Sequence, residues 1–150
     1  MRTALVSASP EETFGVGERL GQSLKAGDVV LLVGGLGAGK TLFTKGVVSA
    51  LGYDIDEVTS PSFALVNLYR TEQVDVYHID LWRLDGAEDP GEAVGLDEII
   101  ENPDAVTLIE WADRLKEFNA PNNTIQVLIE DDGDNPRRIE IIGADLAAKI

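Results

Sequence analysis

Cysteine is absent from the chain. That removes thiolate catalysis, disulfides and the usual structural zinc sites, and gives no support to a secreted, disulfide-stapled scaffold. Basic side chains are scarce: 12 Lys and Arg stand against 27 Asp and Glu, a formal net charge of −15 at pH 7. Such a surface repels phosphate backbones, so strong unaided binding to RNA or DNA is not expected. Service in a nucleic-acid pathway would call for a basic partner to hold the nucleic acid. Histidine occurs once, at His78, and a lone histidine is more often structural than catalytic. No apolar run approaches the roughly 18–20 residues that a membrane span needs. The first residues, Met1 to Val6, lack the long apolar core of a signal peptide. The expectation is a cytoplasmic protein with no membrane attachment.

What is present reads as one α/β domain over residues 1–150, with 44% hydrophobic and 26% charged residues as in ordinary globular chains. Ser9-Pro10-Glu11-Glu12 has the residue types of a helix start, a capping serine followed by proline and a carboxylate. Phe14, Leu20 and Leu24 then recur at helical spacing, predicting a helix to about Lys25. Asp28 to Val33 is a short unbroken apolar run, the pattern of a strand buried on both faces in a parallel sheet. A second helical pattern follows through Phe43, Val47, Val48 and Leu51, and Gly52 stops it. Phe63–Tyr69 and Val74–Ile79 are separated by so short a polar stretch that only an antiparallel pair is possible. A short helix is predicted around Leu96–Glu101, a second buried strand at Val106–Ile109, and a further helix from there through Lys116. Thr124–Glu130 and Arg137–Ile142 flank a polar turn and read as a late strand pair.

Between the first buried strand and its helix lies Gly34-Gly35-Leu36-Gly37-Ala38-Gly39-Lys40-Thr41, a complete phosphate-binding loop pattern. Glycines admit positive φ and let bare N–H groups approach phosphate oxygens. The helix that starts near Gly39 aims its unpaired N–H groups and positive dipole end at the same anion. Lys40 supplies a mobile point charge for the β- and γ-phosphates, and Thr41 a hydroxyl oxygen suited to Mg²⁺. At this composition the pattern arises by chance in about 0.5% of such sequences, before its strand-and-helix context is required. The expected ligand is therefore a nucleoside triphosphate, with Mg-ATP as the natural form.

A phosphate loop needs an acidic partner for the metal. Glu110 ends the strand Val106–Ile109, and Asp80 ends the strand Val74–Ile79. Either can hold the metal through water or polarise an attacking water, and position alone does not choose between them. Trp82 and Trp111 each sit one or two residues beyond a candidate acid. Thr59-Ser60-Pro61-Ser62 places three hydroxyls where several phosphate-loop proteins sense the γ-phosphate, although Ser-Pro is also ordinary turn chemistry.

The order of these motifs, from the phosphate loop through Ser60-Pro61-Ser62-Phe63 and His78-Ile79-Asp80-Leu81-Trp82-Arg83-Leu84 to Ile109-Glu110-Trp111, resembles the TsaE (YjeE) family. That family is the bacterial ATPase component of tRNA threonylcarbamoyladenosine synthesis. The resemblance spans about Gly15 to Asp113. It implies a P-loop NTPase-type three-layer fold with a mixed parallel and antiparallel central sheet, ATP and Mg²⁺ as cofactors, and TsaB and TsaD as partners. TsaD is the enzyme that transfers the threonylcarbamoyl group to adenosine 37 of tRNAs reading ANN codons. Carried onto this sequence, the resemblance places Gly35, Leu36, Gly37, Ala38, Gly39, Lys40, Thr41 and Leu42 around the nucleotide. Ser60 and Ser62 fall in its switch-like stretch, Trp111 beside metal and nucleotide, and Asp80 and Glu110 in the catalytic and metal roles with Thr41. Four positions depart from the common pattern: Gly35 for Asp, Ser62 for Thr, Trp82 for Tyr, and Leu42 for a second Thr near the α-phosphate. None disables a cradle made mostly of backbone.

Three other function classes compete. A small-molecule kinase needs a basic lid, whereas the seven Arg are scattered. A GTP switch needs an Asn-Lys-x-Asp segment, which does not occur. An adaptor with a relic nucleotide site would bind partners equally with and without ATP. No arginine finger is evident in the chain, Arg83 being a candidate contributor, so slow, partner-dependent hydrolysis is expected.

Overall fold

The computed structural model describes residues 2–34, 39–58, 66–84, 89–115, 120–121, 124–131 and 137–143. Ser9 caps the first helix as its type predicts, its hydroxyl accepting the Glu12 N–H at 3.2 Å, and Pro10 opens α1 (Pro10–Ser23). The Glu12 carboxylate reaches back past the cap to accept the Ala8 N–H, tying the chain before Ser9 to the first turn of the helix. Asp28 accepts the Lys25 N–H at 3.0 Å, which closes the turn into β2 (Val29–Gly34).

β2 is flanked on both sides by parallel neighbours, β5 (Ala105–Glu110) and β6 (Thr124–Asp131). This is why its side chains are apolar on both faces rather than alternating. β3 (Val66–Arg70) pairs antiparallel with β4 (Asp75–Asp80), and β4 runs parallel to β5. On the other side, β7 (Arg137–Ile142) lies antiparallel between β6 and β1 (Arg2–Ser7). The seven-stranded sheet thus has the order β1-β7-β6-β2-β5-β4-β3 and is mixed, as expected.

One face carries α1 and α2 (Lys40–Ala50) over Val30, Leu32, Val76, Val106 and Leu108. The other carries α4 (Leu96–Ile100), preceded by α3 (Pro90–Ala93), with Leu96 packed among Val29, Ile79, Leu81 and Ile109. The two helices on the first face meet backbone to backbone. A methyl group on Gly17 would lie 2.2 Å from the Phe43 carbonyl oxygen, and one on Gly46 would lie 2.1 Å from that of Phe14. Only glycine permits that approach.

Two expectations need correction. The helix expected through Lys116 is a single 3-10 turn, Ala112–Arg114, with extended backbone at Leu115; Lys116 lies outside the described residues. The sequence pattern places no element before Ser9, yet β1 is there, docked on β7. Phe63, at the predicted start of β3, also lies outside the described residues. Among the described residues no helix is long and apolar enough to cross a membrane.

Candidate functional site

Three parallel strands, β2, β5 and β4, lie side by side and end at one edge of the sheet, the edge where open α/β sheets collect ligands. β2 ends there at Gly34, the first residue of the Gly34–Thr41 motif. Gly39 takes φ +99°, a conformation that favours glycine, and α2 starts at the next residue with no side chain capping it. Its first N–H groups thus point out of the helix without intrahelical partners. Thr41 and Leu42 occupy that first turn, both half-buried. Gly35, Leu36, Gly37, Ala38, Ser60 and Ser62 lie outside the described residues.

Strand alternation decides which side chains look toward α2. Val76, Val106 and Leu108 belong to the core beneath α1 and α2, so His78 and Asp80 on β4 and Glu110 on β5 share that face. Asp80 and Glu110 are paired in register, so two carboxylates stand on adjacent strand ends, 5% and 3% exposed. Lys40, 6% exposed, donates from Nζ to the Gly34 carbonyl at 2.6 Å. The sequence therefore brings one cation and two acids to the same end of the sheet.

Burial works against the charged form of two of these groups. Desolvation holds the Lys40 ammonium below its usual range, against the opposing charges of Glu110, Asp80 and Asp113. Desolvation also pushes the Asp80 carboxyl up; the Trp82 N–H opposes it, Glu110 adds to it, and His78 and Lys40 oppose it. That Trp82 N–H donates to Asp80 Oδ1 at 2.9 Å, fixing one oxygen.

Trp111 has φ +58°, the one non-glycine residue with positive φ among the described residues. For a bulky side chain that costs about 1–2 kcal/mol. The turn lays the indole against the Lys40 ammonium, 4.1 Å from ring centroid to Nζ, a cation–π contact. Trp82 packs on Trp111 with centroids 4.5 Å apart, and the Arg114 guanidinium lies 5.3 and 5.1 Å from the two rings. The aromatics after the two acids form one cluster.

Two residues escape sequence reasoning. Arg137, at the start of β7, brings its guanidinium beside the loop: a methyl group on Gly39 would lie 3.0 Å from Arg137 Nη1. The sequence puts about a hundred residues between them, and only the sheet order joins them. His78 is fully buried and bonds to Glu110 Oε2 through Nε2. Its place in the motif was visible, but its partner was not.

Among the described residues no three acidic or imidazole side chains form a metal cage. Mg²⁺ does not need one, since it takes one or two carboxylates together with phosphate oxygens and water. Thr41 and the buried acids fit that donor set.

The family profile described as "Threonylcarbamoyl adenosine biosynthesis protein TsaE" matches residues 7–139. A protein of Bacillus subtilis named tRNA threonylcarbamoyladenosine biosynthesis protein TsaE is 38% identical, over 89% of this chain and 80% of its own length. The protein of that name from Treponema pallidum is 35% identical, over 91% of this chain and 97% of its own. The crystal structure of Bacillus subtilis YdiB superposes with a TM-score of 0.71 at 32% identity, covering 94% of this chain and 84% of that one. A match over most of the chain, in sequence and in fold, establishes that it belongs to the TsaE family.

Proposed function

We propose that this protein binds and slowly hydrolyses Mg-ATP, and so supports TsaB and TsaD in N6-threonylcarbamoyladenosine modification of tRNAs reading ANN codons. The observation that carries the reading is the pairing of Asp80 and Glu110 on the face that also receives Lys40, directly behind the phosphate-loop motif. An acid pair with a lysine at the start of a glycine-led helix is what phosphoryl chemistry requires, because positioning and charge stabilisation do most of the work.

The roles follow from the local chemistry. Lys40 leaves the Gly34 carbonyl for the β- and γ-phosphate oxygens, and the N–H groups of the first turn of α2 take the remaining anionic charge. Thr41 Oγ1 and Glu110 hold the metal, directly or through water; when bound, Mg²⁺ neutralises charge on the phosphates. Asp80 accepts a proton from the attacking water at Oδ2, because Oδ1 is held by the Trp82 N–H. Burial raises its proton affinity, which suits a base that must act near neutral pH. Arg137, beside Gly39, adds positive charge at the loop. Relatives of 35–38% identity bear the name of the tRNA modification, which supports the pathway.

The test is calorimetry of Mg-ATP with wild type and Lys40→Ala, followed by reconstituted threonylcarbamoyl transfer with TsaB and TsaD. Loss of one charge-assisted contact should weaken ATP binding about 10- to 100-fold. Hydrolysis should rise when the partners are added. Equal affinity in the two proteins, or hydrolysis unaffected by TsaB and TsaD, sinks the reading.

A further inference from the structure

A line of polar groups crosses the sheet beneath α2 from the edge strand to the acid. On β3, the Tyr69 hydroxyl lies 3.0 Å from His78 Nδ1. On β4, His78 Nε2 bonds to Oε2 of Glu110 on β5. Tyr69, His78 and Glu110 are all buried. Behind them, Asn67 Nδ2 donates to the Tyr69 oxygen at 3.4 Å, and Tyr53 stacks on the Tyr69 ring at 4.7 Å between centroids. The donor and acceptor inventory orders the chain. A carboxylate oxygen can only accept, so the imidazole donates to it from Nε2. In the neutral ring Nδ1 is an acceptor and takes the Tyr69 O–H, while the Tyr69 oxygen takes the Asn67 amide.

We infer that His78 is a positioning residue: held by Tyr69 in its Nε2–H tautomer, it ties down one oxygen of Glu110 so that the other, Oε1, is presented to the nucleotide site. The inference rests on the proposed Mg-ATP chemistry for its purpose, not for its geometry. A carboxylate at the end of a strand has two soft torsions beyond Cβ, and fixing them before ligand arrives removes an ordering cost. Imidazole partners of this kind commonly govern metal affinity or activity through the group they orient. A packing histidine needs no such alignment at both ring nitrogens.

His78 is the sole histidine, so ¹⁵N-histidine labelling gives one ring to observe. Without nucleotide, the wild-type spectrum should show a proton on Nε2 and none on Nδ1. Glu110→Gln should move the Nε2 proton resonance, and Tyr69→Phe the Nδ1 resonance. A second arm measures ATP affinity with and without Mg²⁺. His78→Phe should lose about 10- to 100-fold of the Mg²⁺-dependent tightening while ATP binding without metal stays intact. His78→Gln, which keeps a donor at the Nε2 position, should restore most of it. In a Glu110→Gln background, His78→Phe should add little. A proton found on Nδ1, a ring indifferent to Glu110→Gln, or an equal His78→Phe penalty in both backgrounds overturns the assignment. If His78→Phe does not fold, Tyr69→Phe and the spectra decide it. Failure of wild type to bind Mg-ATP defeats the proposed function, while the spectra still judge His78.

Discussion

Asp80 carries a cost that the unliganded fold bears. Its carboxyl is raised above the ordinary 3.8, chiefly by burial, so the folded chain holds that proton more firmly than the unfolded chain does. As pH climbs from about 3.8 toward the raised value, the folded state binds more protons than the unfolded one, and stability falls through that window. Asp80→Asn keeps an oxygen for the Trp82 N–H and removes the charge. Without nucleotide it should melt about 2–4 °C above wild type at neutral pH, and no higher in acid, where Asp80 is already protonated. Thermal unfolding at the two pH values checks this. Lys40, Asp80 and Glu110 were legible as candidates because a loop motif and strand ends mark them locally. The bond from His78 to Glu110 and the approach of Arg137 to Gly39 were not, since each depends on which strands become neighbours. The left-handed turn at Trp111 was also hidden: an aromatic residue gives no local sign that it will take a glycine-like φ.

β2 and α2 could be read from the chain because pattern and environment agree there. A doubly buried strand is apolar throughout, and Gly39 and Gly52 bracket the helix with positive φ. β1 escaped because an edge strand needs little apolar surface; its residues alternate between exposed and half-buried until Ser7. The helix predicted after Trp111 stopped after one turn because Leu115 is extended, a local choice that helical spacing alone does not reveal. The α1–α2 contact makes a sharp prediction about glycine. Gly46→Ala drives a methyl into the Phe14 carbonyl and should cost about 2 kcal/mol, overpacking outweighing the propensity gain. Gly15→Ala, in the same helix pair, meets nothing within 4 Å and should stabilise by about 0.5–1 kcal/mol. Urea denaturation of the two variants separates space from propensity.

At the scale of the molecule, a net charge of −15 makes the compact state repel itself. Raising monovalent salt from about 0.01 M to about 0.15 M shortens the screening length roughly fourfold, and the melting temperature should rise by about 2–4 °C. A flat or falling curve would mean that local ion pairs outweigh the global field. The fold class and the mixed sheet were expected from the motif order and the short antiparallel connection, and the structure agrees. Where α1 and α2 cross at Gly17 and Gly46, backbone meets backbone with no side chain between. A shift of α2 at Phe43 would therefore bear directly on the backbone of α1.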